Sequence, residues 1–337
     1  MSTSVLHIKP EEIDNLEKRA KYTISIIGCE LCGIAHAHLF IEAGFRVICA
    51  DANKTTVNNI VKGNIPFLKH ELELKLKNYV KTGRLSATDD FKAAVSQSDI
   101  IAITIPVAID EKKKADYSNI ENICKRLGSS LRHDSLVIIM SVTGLDATKT
   151  IIKELLENTS GLKVGTDFGL AYGPIQVLHE QQLETLVNKK RIVSAMDKNS
   201  LNAASTILET VTKSGVRKIE DIKTAEVIAL FEVAQQDVNI AIINEFAIFC
   251  EKVGVDYFEV HNFLKTNNWS SLLLPMLVNG KTRRESYLLS EDAENLNLKL
   301  RIVETAREVN EEMIKYAINS MKDALRNCGK SLKRARI

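Results

Sequence analysis

Residues 22–51, YTISIIGCELCGIAHAHLFIEAGFRVICAD, constrain the fold more than any other stretch of the chain. Tyr22–Gly28 is a short β-branched run ending in glycine, and Arg46–Asp51 is a second ending in an acid. Between them, apolar residues recur at helical spacing and stop at Gly44, a natural C-cap position. Strand, glycine turn, helix, strand, acidic residue is the opening of a dinucleotide-binding βαβ unit. Such a crossover commits its strands to a parallel sheet with helices on both faces.

The next stretches extend that pattern. Buried-strand candidates follow at Asp99–Pro106, Ser135–Val142, Asp167–Tyr172 and Arg191–Ala195, with helical stretches such as Ser118–Leu131 and Asp146–Asn158 between most of them. After about residue 222 the chain changes character. Lys223–Lys252 lacks proline and glycine and repeats apolar residues at i, i+3, i+4, which predicts one helix of about 45 Å at 1.5 Å per residue. Helices are also expected at Tyr257–Lys265 and Leu296–Arg326. The predicted fold is α/β: a Rossmann-like doubly wound parallel sheet followed by an all-α domain built on the long helix. The expected divisions are a charged helical leader at 1–21, a dinucleotide-binding domain at 22–215 and a helical domain at 216–337. A helix of that length is expected to bridge the two domains and support a dimer.

Composition agrees. A chain of 337 residues, 45% hydrophobic and 26% charged, is an ordinary globular sequence long enough for about two domains. Its 15 glycines and 5 prolines are few for that length, which favours long helices over a turn-rich sandwich. A net charge of +2 gives no global field for nucleic acid or an anionic membrane. No apolar run approaches the ~20 residues of a membrane span, and the first residues lack the apolar core of a secretory signal. Six scattered cysteines make no disulfide framework, so a reducing cytoplasm is the expected compartment.

Several segments together resemble the UDP-glucose/GDP-mannose dehydrogenase family, the nucleotide-sugar 6-dehydrogenases. Gly83–Glu111 resembles that family's stretch from the third strand to a VPTP-like turn, and Ser160–Val177 the segment leading to its S-P-E-R turn. Lys223–Asp256 resembles its long central helix, and Glu304–Met313 a later one. The resemblance runs from about Tyr22 to the end. It implies a homodimer through the long helix and a third α/β domain, whose first strand would begin where this chain reaches GKSLKRARI.

The glycine fingerprint G-x-G-x-x-G is only partly kept. Gly28 and Gly33 hold its first and third positions, and Glu30 holds the second, where a pyrophosphate approaches the backbone. Two like charges ~4 Å apart repel by about 4 kcal/mol at an effective dielectric of ~20. Half of that would weaken binding by more than about tenfold. Asp51 is placed for a ribose hydroxyl, which favours NAD over NADP. NAD is therefore the expected cofactor, weakened by Glu30; the competing reading leaves Gly28 and Gly33 serving only the strand–helix turn. Cys29-x-x-Cys32 with His36 one turn on lacks the further ligands of a zinc site. Cys32 begins a helix, where a thiol can be activated. The simpler reading makes both cysteines small loop fillers.

The resemblance implies oxidation of a primary alcohol to an acid in two hydride transfers through a cysteine-bound intermediate. That chemistry needs a thiol, oxyanion-stabilising Lys and Asn, and water-positioning groups. At the matching positions Lys281 replaces the cysteine, Ala229 and Val233 the lysine and asparagine, Val142 the threonine, and Ile175 the glutamate. Gln176 stands at the arginine of the S-P-E-R turn, Ser141 precedes Val142, and Glu285 falls at an aspartate. Apolar side chains transfer no protons. No catalytic residues are assigned, and two functions are carried forward. One is a non-catalytic binding or regulatory homologue, acting beside an active paralogue. The other is an NAD-dependent oxidoreductase with altered residues that performs a two-electron step on a CH–OH donor. Lys281–Arg284 and Glu111–Lys114 read as solvated loops. His70, His179 and His261 read as structural histidines, Trp269 as a packing anchor, and Asn239, Asn244 and Glu245 as packing or dimer contacts.

Overall fold

The computed structural model describes residues 4–64, 70–175, 183–266, 274–277 and 284–331. Two compact units emerge, one formed by 1–107 and 116–229, the other by 108–115 and 230–337.

The first unit is organised by its sheet. Its strands are β1 (Thr23–Ile27), β2 (Arg46–Ala50), β3 (Leu85–Thr88), β4 (Ile100–Ile103), β7 (Leu136–Ile139), β8 (Gly169–Tyr172), β9 (Arg191–Ala195) and β10 (Val216–Lys218). They lie in the order β10-β9-β8-β7-β4-β1-β2-β3. All pairings are parallel except β8 with β9. A separate two-residue ribbon pairs β5 (Ala108–Ile109) with β6 (Ala115–Asp116). All residues of β4 and β7 are buried, as expected for parallel strands covered on both faces. The chain runs outward from β1 through β2 to β3, then returns to the other side of β1 as β4. That reversal leaves a crevice beyond the carboxyl ends of β1 and β4, where open α/β sheets hold ligands.

Helices α2 (Leu31–Glu42), α3 (Lys54–Lys62), α4 (His70–Lys81), α5 (Phe91–Ser96), α6 (Ser118–Gly128), α7 (Lys153–Ser160), α8 (Leu183–Asn188) and α9 (Lys198–Glu209) belong to this unit. Asn53, Asp90 and Asp197 cap α3, α5 and α9 by accepting backbone N–H bonds. The helix expected from Asp146 opens instead with a π-helical turn, Thr148–Ile152, and becomes regular at Lys153. Its entry is held by Glu226, whose carboxylate accepts the N–H groups of Asp146 (2.7 Å) and Thr148 (3.1 Å) and the hydroxyl of Thr143 (3.4 Å). The leader holds one helical turn, α1 (Leu16–Arg19), and two 3-10 turns. Its Val5, Leu6, Ile8 and Ile13 are buried in the main core. The charge pattern of 1–21 hid that apolar face.

His36 and Arg191 are two of the polar side chains buried in this unit. His36 is fully buried; its Nδ1 is 2.8 Å from the Cys32 carbonyl oxygen and its Nε2 is 3.4 Å from Nη1 of buried Arg191. The network assigns the tautomer: Nδ1–H donates to the carbonyl and Nε2 accepts from the guanidinium. Burial, with the Arg191 cation beside it, pushes the imidazole pKa down to about 3.

The second unit is helical. Its elements are the greater part of α10 (Ile222–Val253), then α11 (Tyr257–Thr266), α12 (Ser286–Asn295) and α13 (Arg301–Asn327). The sequence predicted one helix from Leu296, but α12 ends there. Asn297 takes a left-handed φ of 58° and Leu298 N–H bonds back to Ala293 O, so α13 starts only at Arg301. The centre of this unit is polar and joined by hydrogen bonds, although Arg307 Nε makes none. Arg307, with no solvent exposure, donates to both oxygens of Asp237 at 2.9 and 3.2 Å. Asn310 donates to Asp237 Oδ1 and accepts from Asn244, which also bonds both backbone groups of Met276. Asn244 is thus a packing residue. No described helix is long and apolar enough to cross a membrane.

Two outcomes follow from these buried groups. An imidazole free in the unfolded chain protonates near pH 6.5, but His36 stays neutral in the fold to about pH 3. Its stabilisation is full above pH 6.5 and is lost as pH falls toward 3, because the unfolded chain takes the proton first. The stability advantage of the parent over His36→Gln, read by urea unfolding, should shrink by about 2 kcal/mol between pH 7 and pH 5. A pH-independent difference contradicts this. Asp237→Ala removes the two-oxygen partner of buried Arg307, leaving it Glu311 at 3.3 Å, and should cost about 3 kcal/mol, lowering Tm by several degrees. A shift under about 2 °C would mean the pair carries little of the unit's stability.

Candidate dinucleotide-binding site

The crevice beyond β1 and β4 is built by two glycines and a threonine. Gly28 ends β1 at φ +95°, and a Cβ there would meet Ile105 Cγ1 at 2.6 Å. Gly33, in the first turns of α2, lies so close that a Cβ on it would stand 1.9 Å from the Gly28 carbonyl oxygen. Thr104, just past β4, donates its hydroxyl to Gly28 O at 2.7 Å and lies 3.1 Å from Ile27 O. Both glycines are therefore required by the turn itself.

Glu30 is the N-cap residue of α2. Its side chain makes no capping bond and is exposed. The first intrahelical bond runs from Ile34 N–H to Glu30 O, so the N–H groups of Leu31, Cys32 and Gly33 have no acceptor within the helix. They form the positive end of a 12-residue helix at the mouth of the crevice. Asp51, at the end of β2, accepts Cys29 N–H at 2.7 Å through Oδ2 and Asn53 N–H at 2.8 Å through Oδ1. Each oxygen keeps a lone pair for a ligand hydroxyl. Gly28, Gly33 and Asp51 thus meet at one place, and Glu30 stands at its rim.

The two cysteines of the loop differ. Cys29 is buried, and its thiol is pushed well up by a hydrogen bond with Cys49, by burial and by Asp51. Cys32 is half-buried, with Sγ 3.6 Å from His36 Nδ1 and 3.5 Å from Ile175 O. Among the described residues no group of three or more His, Cys, Asp or Glu side chains could hold a metal ion.

The remaining positions singled out by sequence fall as follows. Val142, Ile175, Ala229 and Val233 are all buried, at 6%, 4%, 4% and 6% exposure. The turn after Val142 is tied down by Tyr117, whose hydroxyl accepts Gly144 N–H at 2.9 Å, and by Glu226. Lys281, Thr282, Arg283, Gln176, His179, Trp269 and the side chain of His70 lie outside the described residues. Arg284 is held by the carbonyls of Ile109 and Asp110 and by Glu311, not left to solvent. His261 is buried against the Tyr257 ring. Lys114 pairs with Glu294 at 2.5 Å, and Lys113 sits over the Tyr287 ring. Sequence reasoning missed Glu226, Tyr117 and Arg191. An acid among the apolar residues Ala225–Leu230 was the one available signal for the first; the other two carried none.

Comparison with known proteins gives the same picture. The sequence pattern of the NAD binding domain of the UDP-glucose/GDP-mannose dehydrogenase family matches residues 22–212, and that of the family's central domain matches 223–312. The UDP-N-acetyl-D-mannosamine dehydrogenase of Pyrococcus horikoshii is 28% identical over 307 residues, covering 90% of this chain and 71% of that protein. An NDP-N-acetyl-D-galactosaminuronic acid dehydrogenase of Ralstonia solanacearum is 29% identical over 311 residues, with 90% and 72% covered. The solved structure of the P. horikoshii UDP-D-ManNAc dehydrogenase superposes with a TM-score of 0.77 at 26% identity, over 91% of this chain and 72% of that one. With two consecutive domain patterns matched across most of its length, the chain belongs to the UDP-glucose/GDP-mannose dehydrogenase family.

Proposed function

We propose that this protein binds NAD without performing its family's oxidation, and acts as a binding or regulatory subunit beside an active paralogue. The observation that carries this reading is the burial of Val142, Ile175, Ala229 and Val233. These are the positions that the family resemblance assigns to polar catalytic groups, and here they hold hydrocarbon packed out of water. None of the four can ionise, polarise a carbonyl or orient water.

The cradle supports the cofactor half of the reading. Gly28 and Gly33 leave room at the turn, the first-turn N–H groups of α2 suit a pyrophosphate, and Asp51 suits an adenosine ribose hydroxyl, hence NAD over NADP. When bound, NAD would supply a hydride acceptor. Glu30 acts against the pyrophosphate, but its exposure puts the repulsion near the water limit, about 1 kcal/mol at ~4 Å. Weakening of about fivefold is the scale expected, less than a buried carboxylate would give. The same cradle also supports the second reading, a two-electron NAD-linked step on a CH–OH donor that needs no cysteine.

A second copy of the chain is the proposed partner. On α10, Phe231, Ile242, Phe246, Phe249 and Val253 are exposed at intervals that keep them near one face. An apolar stripe of that length is unusual in a monomer.

Titration with NADH, followed by fluorescence or melting temperature, should saturate, and Glu30→Gly should tighten it by about fivefold. No response up to millimolar NADH removes cofactor binding. Steady NADH production from UDP-N-acetylmannosamine or UDP-glucose would remove the non-catalytic reading. In sedimentation the chain should run at twice its mass, and Phe249→Asp should return it to one. A monomeric parent chain would refute the dimer.

A further inference from the structure

We propose that Cys32 is a nucleophilic thiol, set at the start of α2 to exchange with small disulfides. The site is a cluster of side chains that the function above does not use, although the backbone N–H of Cys32 belongs to the dinucleotide cradle. Cys32 occupies the second position of α2, where the uncapped helix end favours negative charge. Its Sγ lies 3.6 Å from His36 Nδ1, and His36 Nε2 lies 3.4 Å from Arg191 Nη1. Arg191 is 3% exposed, yet its Nε and Nη2 have no hydrogen-bond partner. Among the described residues no carboxylate forms an ion pair with it. Burial lowers the guanidinium pKa to about 10, and the group that opposes this is the Cys32 sulfur. A buried cation lacking a carboxylate is costly, and a thiolate is the anion this cluster can supply.

Several titratable groups stand near Cys32. His36 is neutral and hands on the field of Arg191 through its ring. Glu30 is exposed at the cap, and both oxygens of Asp51 accept backbone N–H groups. The Ile175 carbonyl, 3.5 Å from Sγ, holds the proton on sulfur, but a thiol is a weak donor. Cys32 is half-buried and open to a reagent, whereas Cys29, Cys49, Cys124 and Cys250 are buried. In the exchange, Cys32 first loses its proton to solvent. Its sulfur then attacks one sulfur of the disulfide, that S–S bond breaks, and the departing half leaves as a thiolate that takes a proton from water. The mixed disulfide on Cys32 is undone by a second thiol.

The test uses the whole folded protein, with exposed Cys328 as internal reference. Alkylation by iodoacetamide at pH 6.5, followed by peptide mass spectrometry, should be about tenfold faster at Cys32 than at Cys328. In guanidinium-unfolded protein the ratio should fall to about one, because the advantage comes from the fold. A ratio of one or less in the folded protein overturns the proposal, as does a ratio that survives unfolding. Oxidised glutathione should then add one glutathionyl group at Cys32 and none at Cys29; its failure to add overturns the exchange. Arg191→Met should reduce the ratio several-fold, and an unchanged ratio in a folded variant overturns the role of the cation. If that variant does not fold, the ratios in the parent protein decide.

Discussion

The closeness of Gly33 to the Gly28 carbonyl is the constraint on which the first unit is arranged. With 1.9 Å between that oxygen and any Cβ at residue 33, only glycine lets α2 start directly against the end of β1. Had the helix stood off, its N–H groups would not face the crevice, and the Thr104 hydroxyl would lose the carbonyl it holds. The neighbouring strands follow from the same contact. β1 pairs with β2 on one side and β4 on the other, in register from Thr23 with Arg46 and Ile24 with Ile100. A dinucleotide-type turn is therefore retained here for reasons of packing, independently of whether a cofactor binds.

Much of this was legible in the sequence because parallel strands bury both faces and read as apolar runs. β1, β2, β4, β7, β8 and β9 all fall within such runs. β10 did not stand out, since Val216–Lys218 is short and ends in two cations at the sheet edge. α12 was lost for a different reason. Its ten residues, Ser286–Asn295, are too few to establish a helical period, and its separation from α13 depends on the backbone of Asn297. At the site, Gly28, Gly33 and Asp51 could be named because each has a positional role in a local motif. Arg191 and Glu226 could not, since their partners lie 155 residues away at His36 and 80 away at Asp146.

The energetic character of the two units differs. The first buries hydrocarbon around a sheet and tolerates Arg191, which pairs with no carboxylate among the described residues. The second centres on Arg307, Asp237, Asn310 and Asn244, a network in which the polar groups answer one another. Networks of that kind specify a single arrangement of helices more than they add stability, because misregistered packing would leave a charge without its partner. Val142, Ile175, Ala229 and Val233 are plain core, and a polar group placed at any of them would cost the fold.

The buried side chains of Val5, Leu6, Ile8 and Ile13 carry a practical consequence. The recognisable family pattern begins only at residue 22, so a truncation guided by homology would start the polypeptide at the first strand. Leu6 packs where a Cβ on Gly169 would lie, 2.5 Å from its Cδ2, and that glycine has no side chain to close the gap. A trimmed polypeptide would expose the greasy underside of β8 and α9 to water. Residues 4–21 act as a plug, and handling them as a dispensable tail would invite aggregation unrelated to anything at the crevice.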